Sequence, residues 1–495
     1  MINQSSQSLR PGFARAVLIA SLASSFLLVG TTEPARAQSQ ARAQSQARAL
    51  SQAPALSQAP ALSKAPALSK ASAQSKAQAP SPYWVAAWTA SAHGPYPVGN
   101  PTAQPELKFA FPSEQRGAVD QSFRMIVRPD IWGGQARIRL SNAFGTKPVT
   151  FDGIYVGLQT SGSALLPGSN RAVLFTGKPS VTIEPGKTAT SDAVTLPFAR
   201  NAADPMLVGQ KLAVSFHVAG ESGPRTWPAK ALTTSYLSMP NAGSHGAETG
   251  ELAYPASTTS WYFLDAVDMS APSGTKAIVA FGDSITDGTA STLNGDDRWP
   301  DVFSRRLHAA YGNRFSVVNE GIGGNMVVGP ADYAQKPFAG GPAATERLER
   351  DVVSLSNVGA VIWLEGINDF GNAGAKPEDV VAGVQDIVKR LRARIPGVRV
   401  LMATATSSVN STNGGYGAAP IDGKRQVLND FIRKAAIFDG VVDFDAATLD
   451  PRTHELKAEF QPNSTTGGPG DRLHPNRAGY EAMGQAIDLK KVVGR

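Results

Sequence analysis

The chain has 495 residues, 42% of them hydrophobic and 18% charged, enough for a large core and for more than one domain. Cysteine is absent, which excludes disulfides, thiolate metal sites and a cysteine nucleophile. The formal charge of +7 sits wholly in residues 1–82, with eight basic groups and one acid; the other 413 residues balance 39 bases against 39 acids. The high pI therefore gives no reason to expect a nucleic-acid groove on the folded part.

Residues 1–37 read as a secretory signal. Arg10 and Arg15 make a basic start, Ala16 to Gly30 is an apolar run too short to span a bilayer, and Ala35-Arg36-Ala37 is an A-x-A cleavage site. The expected location is secreted or periplasmic, without stable membrane insertion once the signal is removed. Ala35 to Lys76 is seven hexapeptides, from ARAQSQ to ASAQSK, so residues 38–82 read as a low-complexity linker. A period of six fits neither a helix nor a strand, and no aromatic residue is present to build a core.

Residues 83–270 alternate with period two, as in Ala136-Arg137-Ile138-Arg139-Leu140 and Leu212 to Val218, with turn clusters such as Trp132-Gly133-Gly134 between them. This predicts an all-β sandwich or jelly-roll domain. Trp84, Trp88, Trp132, Trp227 and Trp261 are either carbohydrate-stacking platforms or core residues, and aromatic burial favours the core.

Residues 271–495 change rhythm. Strands are predicted at Ala277–Phe281, Phe315–Val318, Ala360–Leu364, Val398–Ala403 and Val441–Phe444. Helices are predicted at Asp297–Tyr311, around Ala343–Leu355, and at Pro377–Ile395, Gly423–Ile437 and Asn476–Ile487. Such alternation implies a parallel sheet covered on both faces, with chemistry on loops at the carboxyl ends of its strands.

Four of those loops carry polar groups suited to acyl transfer. Phe281-Gly282-Asp283-Ser284 can present a serine hydroxyl at the sheet edge. Asn319-Glu320-Gly321-Ile322-Gly323-Gly324-Asn325 offers a backbone that a ligand can approach; the G-x-G-x-x-G spacing of a dinucleotide turn is not met. Gly366-Ile367-Asn368-Asp369 supplies a side-chain N–H₂ donor or an ordinary turn. In Asp471-Arg472-Leu473-His474 the carboxylate can bond the imidazole, leaving Nε2 to accept a serine proton. Asp283, Asp287, Asp296 and Asp297 miss the calcium-loop spacing and read as solvated acids, so no metal is expected, and no cofactor.

In this order the four loops resemble the SGNH or GDSL hydrolase family, over about Lys276 to Ile487. The resemblance implies a flavodoxin-like three-layer α/β/α domain with a parallel sheet. It implies Ser284 as nucleophile, with Asp471 and His474 completing the catalytic set. It further implies an oxyanion hole of Ser284, Gly324 and Asn368, with Gly323 as the alternative glycine. Ile285 stands where the family name has leucine. The β-rich stretch is similar to the segment preceding the hydrolase domain in some secreted bacterial members. The implied activity is a secreted carboxylic-ester hydrolase, with carbohydrate acetyl esters, including polysaccharide, as the expected substrates. The alternatives are a lipase or broad arylesterase, an inactive carbohydrate-binding protein, and a nucleotide-binding protein, which the missing phosphate loop disfavours.

Overall fold

The computed structural model describes residues 83–94, 107–330, 332–333 and 339–494. The predicted signal and the hexapeptide linker lie outside them.

The first part of the described chain is antiparallel. Its main strands are β1 (Tyr83–Thr89), β2 (Val119–Val127), β3 (Gln135–Ser141), β4 (Val149–Ser161), β5 (Leu212–Glu221) and β6 (Leu264–Ala271). One sheet runs β1-β6-β3, and another places β5 between β2 and β4; short strands extend both. Along β3 the apolar residues Ala136, Ile138 and Leu140 are buried while Gln135, Arg137 and Arg139 are half-buried, as period-two side-chain geometry requires. Strand β2 departs from simple alternation, because the segment after it covers its second face. Arg124 is buried there, donating to Ser215 Oγ (2.9 Å), Ser163 O (2.6 Å) and Glu248 O, with Tyr254 stacked at 4.1 Å. The inner faces of the two sheets meet through Phe123 and Phe151, whose rings lie 5.8 and 5.3 Å from that of Phe263.

From Lys276 the sheet is parallel, in the order β8-β7-β9-β10-β11: β7 is Lys276–Gly282, β8 Phe315–Gly321, β9 Val358–Leu364, β10 Arg399–Ala403 and β11 Gly440–Val442. The helices are α1 (Ser284–Asp287), α2 (Trp299–Tyr311), α3 (Ala344–Leu348), α4 (Ile367–Gly371), α5 (Pro377–Arg394), α6 (Ala419–Lys434), α7 (Phe444–Thr448), α8 (Arg477–Ala486) and α9 (Leu489–Val493). Ile278, Ala280 and Ile362 face Trp299 and Phe303 of α2 and Tyr480 and Met483 of α8. Val279, Phe281 and Val361 share a core with Val380 and Ile387 of α5 and Leu428 of α6. Burial on both faces explains why these strands are apolar runs without alternation.

Two expected elements stop early, and two short helices were not expected. The predicted strand Val441–Phe444 ends at Val442, because Asp443 accepts the N–H of Ala446 and caps α7. The predicted helix over Ala343–Leu355 stops as an α-helix at Leu348 and continues through Glu349–Val353 as a wider π turn. The short helices α1 and α4 have too few residues to show a period and were read only as loops.

Ala79 to Arg495 form one compact unit. Its largest core cluster runs from Val85, Ile138 and Val267 of the antiparallel part into Val279 and Trp363 of the parallel sheet. Asp130 staples the two parts. It accepts from Ser304 Oγ, from His308 Nε2 (3.0 Å) and from the Val317 N–H (2.6 Å). Trp88, Trp132, Trp227 and Trp261 are buried, and Trp84 lies half-buried beneath Arg137, so these rings fill the core and the seam.

Candidate active site

Strand β7 leads straight into Ser284, the first residue of α1. Asp283 caps that helix by accepting the Ile285 N–H at 2.9 Å, which fixes the turn carrying the serine. The turn is tight enough to demand glycine beside it: a Cβ on Gly321 would lie 2.2 Å from the Asp287 nitrogen. Ser284 and His474 are each 7% exposed.

His474 arrives from the far end of the chain. Asn476 accepts the N–H groups of Ala478 (2.9 Å) and Gly479 (3.1 Å), starting α8 and fixing the loop before it. In that loop Asp471 accepts the N–H groups of Leu473 (3.0 Å) and His474 (2.9 Å) through Oδ1 and lies 2.6 Å from His474 Nδ1 through Oδ2. His474 Nε2 lies 2.8 Å from Ser284 Oγ. Burial opposes the charge on Asp471, yet its bonds to the His474 ring and to the two N–H groups outweigh that and hold its pKa well below the usual carboxylate range. A carboxylate that stays ionised orients the ring through Nδ1 and leaves Nε2 facing Ser284.

The loop after β8 and the start of α4 close the other side. Asn368 Nδ2 donates to Asn325 O at 2.9 Å, and Tyr416 OH donates to Asn368 Oδ1 at 2.7 Å. That second bond fixes which end of the carboxamide carries the N–H₂. Asp369 accepts the N–H groups of Val327 (2.9 Å) and Val328 (3.1 Å), tying the two loops together. The Gly323 N–H donates to Asp287 Oδ2 at 3.2 Å, and Gly324 has φ +86°. Arg347, fully buried over the Phe281 ring at 4.0 Å, donates to Gly282 O (2.9 Å), Glu320 O (2.8 Å) and Asn325 Oδ1 (2.7 Å).

The reading of the four acids as solvated is corrected for two of them. Asp283 and Asp287 are buried, and burial raises their pKa to about 7 and about 6. Asp296 and Asp297 are half-buried. No cluster of three or more histidine or carboxylate groups suited to a metal ion occurs among the described residues. Sequence reasoning missed Arg347 and Tyr416 and misread Asp287; the first two lie outside the four motifs and reach the site through contacts between residues far apart in the chain.

A family model described as the GDSL-like Lipase/Acylhydrolase family matches residues 280–482. This segment belongs to that family. The match begins just before Ser284 and ends after His474, so it contains every residue described in this site. Solved structures similar to the chain include a carbohydrate acetylesterase family member from Sinorhizobium meliloti (18% identity, 44% of this chain, 100% of that chain, TM-score 0.34). Others are the aryl esterase of M. smegmatis (19%, 44%, 99%, TM-score 0.32) and a GDSL-like lipase from Bacteroides thetaiotaomicron (18%, 46%, 92%, TM-score 0.33). No curated protein matches the chain. The chemistry of the GDSL family is acyl-ester hydrolysis.

Proposed function

We propose that the chain is a serine esterase that works through an acyl-enzyme. The observation that carries this is the aligned chain of contacts from Ser284 Oγ to His474 Nε2 (2.8 Å) and from His474 Nδ1 to Asp471 Oδ2 (2.6 Å). His474 takes the serine proton as Oγ attacks the ester carbonyl, while Asp471 holds the ring and its charge. The oxyanion is received by the N–H of Ser284, the N–H of Gly324 and the carboxamide of Asn368. Gly324 is preferred to Gly323 because Asp287 already holds the Gly323 N–H. His474 then protonates the leaving alcohol, and water repeats the sequence on the acyl-enzyme.

We read the GDSL domain as a flavodoxin-like three-layer α/β/α fold and the stretch before it as a sandwich, supported by the strand order and the shared inner core. We propose carbohydrate acetyl esters, polysaccharide among them, as substrates of a secreted or periplasmic enzyme. The signal-like start and the β-rich part support this; the buried tryptophans supply no stacking platform for it.

The test compares purified wild type, Ser284→Ala and His474→Ala on p-nitrophenyl acetate, acetylated xylan, long-chain p-nitrophenyl esters and triglyceride. Loss of turnover in both variants with the fold intact is expected; near-normal turnover in either contradicts the assignment. Activity confined to long-chain esters and triglyceride replaces the carbohydrate reading with a lipase.

A further inference from the structure

The β-rich part sends one cation into the hydrolase site. Lys230 lies between β5 and the short strand Ser235–Leu237, and only 5% of it is exposed. Its backbone is pinned on both sides. The Ala229 N–H donates to His93 Nε2 (3.1 Å), Ala229 O accepts from Ser260 Oγ (2.6 Å), and the Ala231 N–H donates to Thr259 O (2.7 Å). From this rigid base the ammonium donates to Thr289 Oγ1, and the Thr289 N–H donates to Ser284 O at 2.9 Å.

The ammonium also closes on the oxyanion loop. Gly323 lacks a side chain, and a Cβ there would sit 3.0 Å from Lys230 Nζ and 3.5 Å from Asp287 Oδ2. Cation and carboxylate thus flank the same residue, Gly323, and the carboxylate accepts its N–H. The next N–H along the chain belongs to Gly324. Negative charge that develops there during ester attack would be repelled by an uncompensated Asp287 carboxylate in a buried setting, where charges are poorly screened.

We infer that Lys230, a residue of the β-rich part, is a positioning residue of the esterase site: with Asp287 it brackets Gly323, whose N–H Asp287 holds, and offsets the carboxylate beside the oxyanion forming at the next N–H, that of Gly324. The inference rests on the esterase reading above. It makes the β-rich part a component of the catalytic site as well as a neighbour of it.

The test uses the full chain, p-nitrophenyl acetate kinetics and the variants Lys230→Met, Asp287→Asn and their combination. Lys230→Met is expected to lower kcat about 10- to 100-fold with KM nearly unchanged, the scale of a displaced catalytic geometry. Adding Asp287→Asn, which keeps an acceptor for the Gly323 N–H but removes the charge, is expected to restore most of that loss. Because neutralising Asp287 would also relieve fold damage from an unpaired buried charge, kcat is taken per folded active site counted by fluorophosphonate titration, and the rescue must persist in that value. A Lys230→Met enzyme about as fast as wild type, or a double variant as slow as the single, overturns the inference. If Lys230→Met does not fold, Thr289→Val carries the test: it removes the ammonium's acceptor and should lower kcat at constant KM, and an unchanged kcat overturns the inference. A wild type without Ser284-dependent turnover overturns the esterase reading first and this inference with it.

Discussion

At the residue scale the site divides into groups that act on the ester and groups that aim them. The proposed mechanism puts Asn368 in the first set, and Asn368→Ala is expected to lower kcat about 10²- to 10³-fold, the usual cost of one oxyanion donor, with little change in KM. A loss confined to KM would contradict that role. Tyr416 belongs to the second. Its hydroxyl fixes the carboxamide of Asn368, so Tyr416→Phe should lower kcat by about 5- to 10-fold, the worth of one net hydrogen bond. Steady-state kinetics on an aryl acetate checks both. Ser284, Asn368, Asp471 and His474 stood out as candidates in the sequence because each lies in a short segment of distinctive composition at the end of a strand or the start of a helix. Tyr416, Lys230 and Arg347 did not. Their neighbours in sequence carry no signal, and contacts between residues far apart in the chain decide their role.

At the element scale the carboxyl ends of β7, β8 and β9 gather buried acids around one point. Burial, opposed by Arg347 and by the Trp363 Nε1–H bond at 2.7 Å, raises the pKa of Glu365 from 4.5 to about 8. A group whose folded pKa lies above its unfolded value binds its proton more tightly in the folded chain. Its contribution to stability is therefore complete below about pH 4.5 and is lost as pH rises through about 8. Asp283, Asp287 and Asp369, raised to about 7, about 6 and about 6, act in the same direction. The Tm should therefore fall between about pH 5 and 8, and Glu365→Gln should flatten that slope. A Tm that rises over this range in the wild type would contradict the burial of these groups. The long elements of the parallel sheet were legible because apolar runs and helical spacing extend over enough residues. The π turn at Glu349–Val353 was not, since there Asp351 gathers Arg347 and Arg350 through side-chain contacts that no hydrophobic period records.

At the scale of the whole molecule, the β-rich part and the GDSL domain share a core, and Asp130 and Lys230 cross between them. Asp130→Ala strands the Val317 N–H and two side-chain donors, and should destabilise the fold by about 2–3 kcal/mol. Calorimetry of the wild type should show one cooperative transition; separate melting of the two parts would contradict a common core. The change from period-two alternation to alternating strands and helices marked the two parts in the sequence, but the seam between them was unreadable. Beside the shared apolar core it holds single polar residues such as Asp130, Ser304 and Asn357, the last donating to Trp84 O, which look like surface positions until the parts are placed together.

In the proposed mechanism His474 activates the hydroxyl of Ser284. Labelling with a fluorophosphonate, followed by peptide mass spectrometry, measures that activation. The expected result is a single adduct on Ser284 in the wild type, and a labelling rate that collapses in His474→Ala. An unlabelled Ser284, or an adduct that forms equally fast without His474, would contradict the account.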